Sequence, residues 1–287
     1  MQARTGIIGG SGLYAVEGLE ILDELAIGTP YGKPSDVLTL ARMGDHEVVF
    51  LPRHGKGHRI PPHQINYRAN IYAMKLAGVK QIVSVSAVGS LREQIAPGDF
   101  VLVDQFVDRT HSRPSTFFDG PVIAHASMAD PVCPRLAGLL GAAINSQGIK
   151  LHRGGTYLAM QGPQFSSRAE SELYRSWGMD VIGMTNMPEA KLAREAELCY
   201  ATVAMSTDYD CWHQEEEDVS IPAVLEIMRN NVNQAIAMLR GFLAEAPAEE
   251  ACAHGCNHVL DHAIFAELKG RSDDELRPIH ALVERLL

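Results

Sequence analysis

Two acidic residues, Asp208 and Asp210, follow the strand-like run 201–207 and are flanked by Tyr209 and Trp212. In a continuing strand the two carboxylates would share one face, and in a loop they would converge on one ligand and raise each other's pKa. A carboxyl with a raised pKa can donate a proton to a leaving group near pH 7. A solvated acidic turn is the alternative interpretation, but the aromatic neighbours favour a less exposed site.

Three further segments have residue types that bind a small anion. The sequence GGSG at 9–12 follows a strand-like run, so main-chain N–H groups and the Ser11 hydroxyl can approach a phosphate. Arg53 and His54 also follow an apolar run, and a guanidinium group pairs well with phosphate oxygens. Ser86 lies in a stretch of small residues at the end of another such run. A tight turn, a surface loop and turn-capping serines are the respective alternatives, and residue types alone leave them open.

Two segments combine apolar and hydroxyl side chains in a way that suits a sugar or a planar base. Phe165 could stack on a base, whereas Ser167 and Glu170 have the spacing of a capping box and predict the start of a helix. Met184 and Thr185 lie at a predicted strand end, where a thioether beside a hydroxyl suits an apolar sugar face next to an anion. Core packing is the alternative for Phe165 and Met184.

A cluster of potential metal ligands lies near the C-terminus. Cys252 and Cys256 are separated by three residues and are accompanied by His254, His258 and His262. Zinc must be considered, but the spacing matches no standard finger. A metal site, a redox-sensitive or disulfide-forming pair and no special role all remain open, and we assign no metal ligand from the sequence. The odd total of five cysteines indicates a reducing compartment.

Strand-like and helix-like segments alternate through the first 245 residues, which predicts an α/β domain with a buried sheet. The predicted strands are 5–9, 37–43, 48–51, 81–85, 100–103, 155–160, 181–184 and 201–207, and the predicted helices are 64–76, 136–143, 167–177, 188–197 and 219–243. Residues 1–245 form the predicted domain. Residues 246–287 are predicted to be a C-terminal helical extension of two helices, the second ending at the last residue. Open α/β sheets bind ligands at strand ends, where the candidate residues lie.

The composition restricts the class of protein. The 287 residues include 46% hydrophobic and 21% charged residues, which is typical of a globular chain. The net charge of −10 disfavours a nucleic-acid partner. We find no apolar run of about 18–20 residues and no signal pattern, so we expect a cytoplasmic protein that does not bind membranes. A weak dinucleotide fingerprint at 10–15 is interrupted by Gly18, where a helix should run.

In this order the motifs resemble the purine nucleoside phosphorylase superfamily, and in particular its branch that acts on 5′-methylthioadenosine. The matching stretches are GIIGGSGLY at 6–14, TPYGKPSD at 29–36, RHGKGHRIPPHQINYRANIYAMK at 53–75, the segments 86–110 and 162–201, and STDYDCW at 206–212. Together they cover most of residues 5–245. The resemblance implies a single α/β domain around a twisted mixed sheet flanked by helices, assembled as a homotrimer or a dimer of trimers.

The resemblance also implies an activity. Members carry out phosphorolysis, and this branch converts 5′-methylthioadenosine and phosphate to adenine and 5-methylthioribose 1-phosphate. That pentosyl transfer serves purine and methionine salvage and needs no cofactor, because inorganic phosphate is a co-substrate. A phosphorylase of methylthioinosine or other 6-oxopurine nucleosides is the alternative. Related 6-oxopurine enzymes use Asn and Glu at the base site, so Asp208 and Asp210 favour a 6-aminopurine, whose amine needs an acceptor.

Carried over by position, the resemblance assigns roles to thirteen residues. The phosphate-binding residues are Ser11, Arg53, His54, Ser86, Ala87 through its backbone, and Thr185. The substrate-binding residues are Met184 against the ribose, Phe165 and Ser166 beside the base, and His125 and Val224 in the methylthio pocket, with His125 reaching a neighbouring subunit. The catalytic residues are Asp208, which we expect to share a proton with adenine N7, and Asp210. A protein that binds nucleosides without chemistry would not need both a phosphate clamp and a proton donor.

Overall fold

The computed structural model describes residues 4–10, 13, 19–213, 221–245 and 251–287, with the side chains of 221–225 excepted. The strands are β1 (Arg4–Gly9), β2 (Glu20–Leu25), β3 (Leu38–Met43), β4 (His46–Pro52), β5 (Val79–Ser90), β6 (Phe100–Val103), β7 (Gln105–Asp108), β8 (Leu151–Arg153), β9 (Thr156–Ala159), β10 (Val181–Gly183) and β11 (Cys199–Tyr209). The helices are α1 (Tyr67–Leu76), α2 (Pro134–Ser146), α3 (Arg168–Ser176), α4 (Asn186–Glu195), α5 (Ile221–Glu245), α6 (Asp273–Leu276) and α7 (His280–Val283).

All the described strands join one mixed sheet, in which β5 is the branch point. On one edge β5 pairs first with β1, in parallel up to Ser84, and then with β10, antiparallel at Gly89 and Ser90. On its other edge β5 pairs with β11 in parallel. The backbone of residues 85–88 lies between the two pairings on the first edge. This change of partner opens a gap in the sheet.

Core clusters cover both faces of the sheet, because successive residues of a central strand pack into different clusters. On β4, Val49 and Leu51 belong to one core cluster, whereas Val48 and Phe50 belong to the other. Helices α1 and α4 contribute to the first cluster, and α2 and α5 contribute to the second. The segment 251–287 adds buried side chains to both clusters. The fold is therefore the predicted single α/β unit with C-terminal helices, while the boundary at 245/246 stays a prediction.

The sequence analysis missed three strands and placed the end of the last helix too late. Strand β2 is a mostly exposed edge strand, and the short strands β7 and β8 contain no fully buried residue, so all three lack an apolar pattern. The two expected C-terminal helices are present, but the second ends at Val283 and not at the last residue. The segment contains the single-turn helices α6 and α7, and 3-10 turns at Cys256–His262 and Glu284–Leu286, because Pro278 stops α6 from continuing. Among the described residues, no helix is both long and apolar enough to cross a bilayer.

The predicted capping box is confirmed. Ser167 precedes α3, and its hydroxyl accepts a hydrogen bond from the Glu170 main-chain N–H, while the Glu170 carboxylate accepts one from the Ser167 N–H. These bonds satisfy main-chain donors that the first turn of a helix would otherwise leave unpaired. Ser167 and Glu170 therefore have a structural role.

Candidate active site

A cavity of about 370 Å³ lies at the gap in the sheet and has the size of a small-molecule site. Nine of the thirteen predicted site residues line it, namely Arg53, His54, Ser86, Ala87, Phe165, Met184, Thr185, Asp208 and Asp210. They come together because β4, β1 and β5 run in parallel, so that their carboxyl ends meet at one edge of the sheet. The main-chain N–H of Arg53, for example, donates a hydrogen bond to the carbonyl of Gly9 at 3.0 Å.

Hydroxyl groups from three segments of the chain converge at one part of the cavity. Thr185 precedes α4 and makes no capping bond, and its Oγ1 lies 3.2 Å from Ser86 Oγ on β5. Tyr157 on β9 brings a third hydroxyl to 3.4 Å from Ser86 Oγ. Hydroxyl groups that lie this close together can donate hydrogen bonds to the oxygens of a small anion.

Arg53 is buried and forms a two-point ion pair with Glu189 on α4. Its Nε lies 2.7 Å from Glu189 Oε2 and its Nη2 lies 3.0 Å from Oε1. Its remaining bonds go to Ser84 Oγ and to the carbonyls of Val85 and Ile8. Burial alone would lower the pKa of Arg53, but the carboxylate beside it raises the pKa above its usual value. Arg53 therefore lines the anion site as half of a neutral pair.

His54 is held in a defined tautomer. Its Nδ1 lies 2.9 Å from the carbonyl of Ile60, so Nδ1 carries the proton and Nε2 is left as an acceptor. Burial is the main cause that lowers the pKa of His54 to about 4, and the nearby Arg53 charge adds to this effect. The imidazole is therefore neutral at pH 7 before substrate binds.

The lowered pKa predicts a pH-dependent contribution of His54 to stability. In the unfolded chain His54 becomes protonated below its ordinary pKa of 6.5. In the folded chain the same imidazole becomes protonated only near its lowered pKa of about 4. The unfolding free energy should therefore fall as the pH drops through this window. Urea titrations at pH 7 and pH 4.5 measure this fall in the unfolding free energy. Between the two pH values the unfolding free energy of wild type should fall by about 1–2 kcal/mol more than that of His54→Gln, after discounting for partial exposure. The exposed His254→Gln should behave as wild type, and equal losses in all three would contradict the prediction.

The acidic pair lies where β11 shifts its register against β5. The shift falls between Ser206 and Asp208, so Thr207 is an extra residue that redirects the side chains beyond it. The strand continues through Tyr209, and Asp210 follows it. A methyl group at Gly89 on β5 would lie 3.2 Å from Asp208 Oδ1, so glycine there leaves room for the pair.

The two carboxyls have different surroundings. Asp208 Oδ2 accepts a hydrogen bond from Thr207 Oγ1 at 2.6 Å. Asp210 is 9% exposed, and burial raises the pKa of its carboxyl. The pair can therefore combine a carboxylate acceptor with a group that holds a proton closer to neutral pH.

Apolar side chains form the remaining wall. Met184 and Phe165 line the cavity together with Met160, Met205 and Met228. Phe165 is 84% exposed, so its ring is available to cover a planar ligand. The thioether wall suits the apolar face of a sugar or a thioalkyl group.

The sequence model of the family described as the phosphorylase superfamily matches residues 4–244. The chain belongs to this superfamily. It is 52% identical over 268 residues to the S-methyl-5′-thioadenosine phosphorylase of Geobacter sulfurreducens, covering 93% of each chain. It resembles the crystal structure of a methylthioadenosine phosphorylase from an antarctic soil metagenomic library, with a TM-score of 0.91, 45% identity and coverage of 98% and 99%. The Schistosoma mansoni methylthioadenosine phosphorylase in complex with adenine gives a TM-score of 0.85 at 37% identity, with coverage of 91% and 99%.

Four residues expected at a phosphorylase site are not among those that line the cavity. Ser11 lies outside the described residues, and so does the side chain of Val224, although Met228 on the same helix lines the cavity. Ser166 lies at its border, with Oγ 3.6 Å from Met160 Sδ. His125 is exposed, and its ring packs edge-on against that of Phe265.

One supporting residue of this phosphorylase fold escaped the sequence analysis. Arg113, 9% exposed, donates hydrogen bonds to the carbonyls of Met184 and Met187 and to the carbonyl of Gln161. Its Nε also donates to Gln161 Oε1 at 3.1 Å. Arg113 thereby fixes two backbone segments that border the cavity. It lies in a loop without periodicity, and only its burial shows its role.

Proposed function

We propose that this protein catalyses the phosphorolysis of 5′-methylthioadenosine to adenine and 5-methylthioribose 1-phosphate. The observation that carries the proposal is a single cavity that combines an anion-binding part at Ser86 and Thr185 with the carboxyl pair Asp208 and Asp210. Relatives about half identical over nearly the whole chain are S-methyl-5′-thioadenosine phosphorylases. This supports the assignment as a pentosyltransferase of purine and methionine salvage.

The reaction exchanges one bond at the anomeric carbon. A phosphate oxygen attacks C1′, and the electrons of the bond between C1′ and N9 pass to the departing adenine, which takes up a proton. The transition state is oxocarbenium-like, so a phosphate dianion held below the sugar stabilises its positive charge. Ser86, Thr185 and the main chain at Ala87 hold that phosphate in our proposal, and the neutral Arg53–Glu189 pair fixes the wall behind it.

The carboxyl pair acts on the base. The exocyclic amine of adenine is a donor, so it needs an ionised carboxylate opposite it. A proton supplied at N7 stabilises the negative charge of the leaving base. Because two carboxyls in one site titrate together, we assign this proton to the pair. Delivery by Asp208 stays a prediction, and burial of Asp210 supplies the raised pKa that the pair needs.

We further propose a homotrimeric or dimer-of-trimers assembly in the cytoplasm, with His125 of one subunit completing the methylthio pocket of the next. No cofactor, nucleic acid or membrane takes part. The exposed position of His125 beside the exposed Phe265 supports a role between subunits. Light scattering should give three or six times the 31.3 kDa of one chain, and a monomer at working concentration would contradict the proposal.

Substrate comparison tests the proposed function. With phosphate present, kcat/KM for 5′-methylthioadenosine should exceed that for inosine by about 10⁴-fold, because a 6-oxo group faces a carboxylate and leaves it unpaired. Methylthioinosine separates the effect of the base from that of the 5′ group. Base release should stop when phosphate is left out, which distinguishes a phosphorylase from a hydrolase or a binding protein. A preference for methylthioinosine or inosine would favour the 6-oxopurine alternative.

A further inference from the structure

Four cysteines that are distant in the sequence meet at one buried point. Cys133, Cys199, Cys252 and Cys256 are all buried, and their sulfur atoms all lie within 4.8 Å of one another. Cys133 immediately precedes α2, Cys199 begins β11, and the other two come from the C-terminal segment. None of the four lines the cavity described above, so the proposed reaction leaves this cluster unexplained.

We propose that these four cysteines bind one Zn²⁺ ion in a structural, tetrahedral site. Structural zinc sites have four protein ligands with Zn–S bonds of about 2.3 Å, and a tetrahedron of that size has S–S edges of roughly 3.8 Å. The sulfur atoms of Cys133 and Cys252 are 3.8 Å apart. Since all the sulfur pairs lie within 4.8 Å, shifts of no more than about 1 Å bring the set to this geometry.

The charges around the cluster match a tetrathiolate zinc centre. Each thiol loses its proton to solvent on binding, and four thiolates with Zn²⁺ carry a net charge of −2. Two partly buried guanidinium groups face these sulfurs, with Arg135 Nη2 4.0 Å from Cys199 Sγ and Arg194 Nη1 3.9 Å from Cys256 Sγ. Cys133 lies at the positive N-terminal end of the thirteen-residue helix α2. These groups offset the charge of the centre.

The local backbone presents the two C-terminal sulfurs to the same point. Gly255 between them has a φ of 70°, a left-handed conformation that glycine adopts without strain. The main-chain N–H of Cys252 donates to Asn257 Oδ1 at 2.9 Å, which closes the turn. His254, His258 and His262, the neighbours that made zinc a candidate in the sequence, are exposed. The ligand set is therefore sulfur alone.

An ion can reach the cluster from one side. A second cavity of about 200 Å³ is lined by Cys199 and Cys252 and by Asn257. It gives the access route that a metal site requires. Once bound, the ion would cross-link the C-terminal segment to the start of α2 and to β11, and would hold that segment on the domain. This role is independent of phosphorolysis.

Metal analysis of the purified full-length protein tests the proposal. Protein prepared without chelators should contain one zinc per chain by plasma mass spectrometry. The Cys252→Ser/Cys256→Ser variant should contain less than a tenth of that amount, since two of four ligands are lost. Cys211→Ser is the matched control, because Cys211 is the fifth cysteine and lies outside the cluster. It should keep the full zinc content.

Measurements on wild type keep the proposal testable if the double variant does not fold. Protein produced in cobalt-supplemented, zinc-poor medium should show the visible d–d bands and the near-ultraviolet sulfur-to-cobalt bands of a tetrahedral tetrathiolate.

A thiol titration distinguishes metal binding from disulfides. Denatured wild type treated with chelator, without reductant, should titrate as five free thiols. One thiol per chain and no metal would mean that two disulfides occupy the cluster and would overturn the proposal. Five thiols without metal, or iron in place of zinc, would also overturn it.

Discussion

The Asp210→Asn variant is expected to lower kcat for 5′-methylthioadenosine by about 10²–10⁴-fold, the usual contribution of a positioned general acid. Asparagine fills the same volume but removes one of the two carboxyls that hold the proton for the leaving base. Asp208→Asn should cause a loss in the same range, because it removes the other carboxyl of the pair that holds the N7 proton and accepts from the adenine amine. Steady-state adenine release measures both effects.

The pH profiles of the two variants then separate their roles. The variant that has lost the proton-holding carboxyl should lose the basic limb of its kcat profile, whereas the other variant should keep a limb with a shifted midpoint. Asp23→Asn, at an exposed carboxylate on the edge strand β2, is the matched control and should retain wild-type kinetics. Rates within threefold of wild type for both site variants would remove the pair from catalysis.

Glu189→Gln is expected to destabilise the fold by about 3–5 kcal/mol, because it leaves the buried Arg53 charge without its counter-charge. The side chains of the pair are 2% and 1% exposed, so solvent screens the lost interaction little. The same carboxylate accepts hydrogen bonds from Ser84 Oγ at 2.7 Å and from the Tyr200 hydroxyl at 2.9 Å. Urea denaturation followed by circular dichroism measures the loss.

The exposed pair of Lys56 with Glu24 provides the comparison. Its side chains are 59% and 60% exposed, and Glu24→Gln should cost less than about 1 kcal/mol. Replacing both buried partners, as in Arg53→Met/Glu189→Leu, should cost less than the sum of the single replacements, because no unpaired charge remains. Additive losses would show that the two side chains stabilise the fold separately and would refute the ion-pair account.

The fold was predictable wherever an element carried a long apolar pattern. The runs at 48–51 and 201–207 were recognised because their residues are buried on both faces of the sheet. Strand β2 was missed because it lies at the edge and is mostly exposed, so its residues lack the apolar pattern. The extent of the two C-terminal helices was not predictable, because single-turn helices derive their stability from the domain they pack against.

The candidate site was predictable as a set of residues but not as an electrostatic arrangement. Local sequence could place Arg53 and Thr185 at the ends of their strands. It could not show that Glu189 neutralises the guanidinium, because that bond joins residues 136 positions apart. Nor could it show that Arg113 fixes the backbone at Met184, since a loop arginine has no pattern that identifies its partners.

The sequence by itself determined the α/β class, the strand ends that carry the candidate residues and the residue types suited to an anion, whereas the preference for a 6-aminopurine came from the family resemblance. It did so because strand periodicity and the meeting of parallel strand ends are local or topological rules. The tertiary structure alone decided where β5 changes partner and opens the cavity. It also brought Cys133 and Cys199 to Cys252 and Cys256. Both outcomes depend on packing between distant segments, which no spacing along the chain encodes.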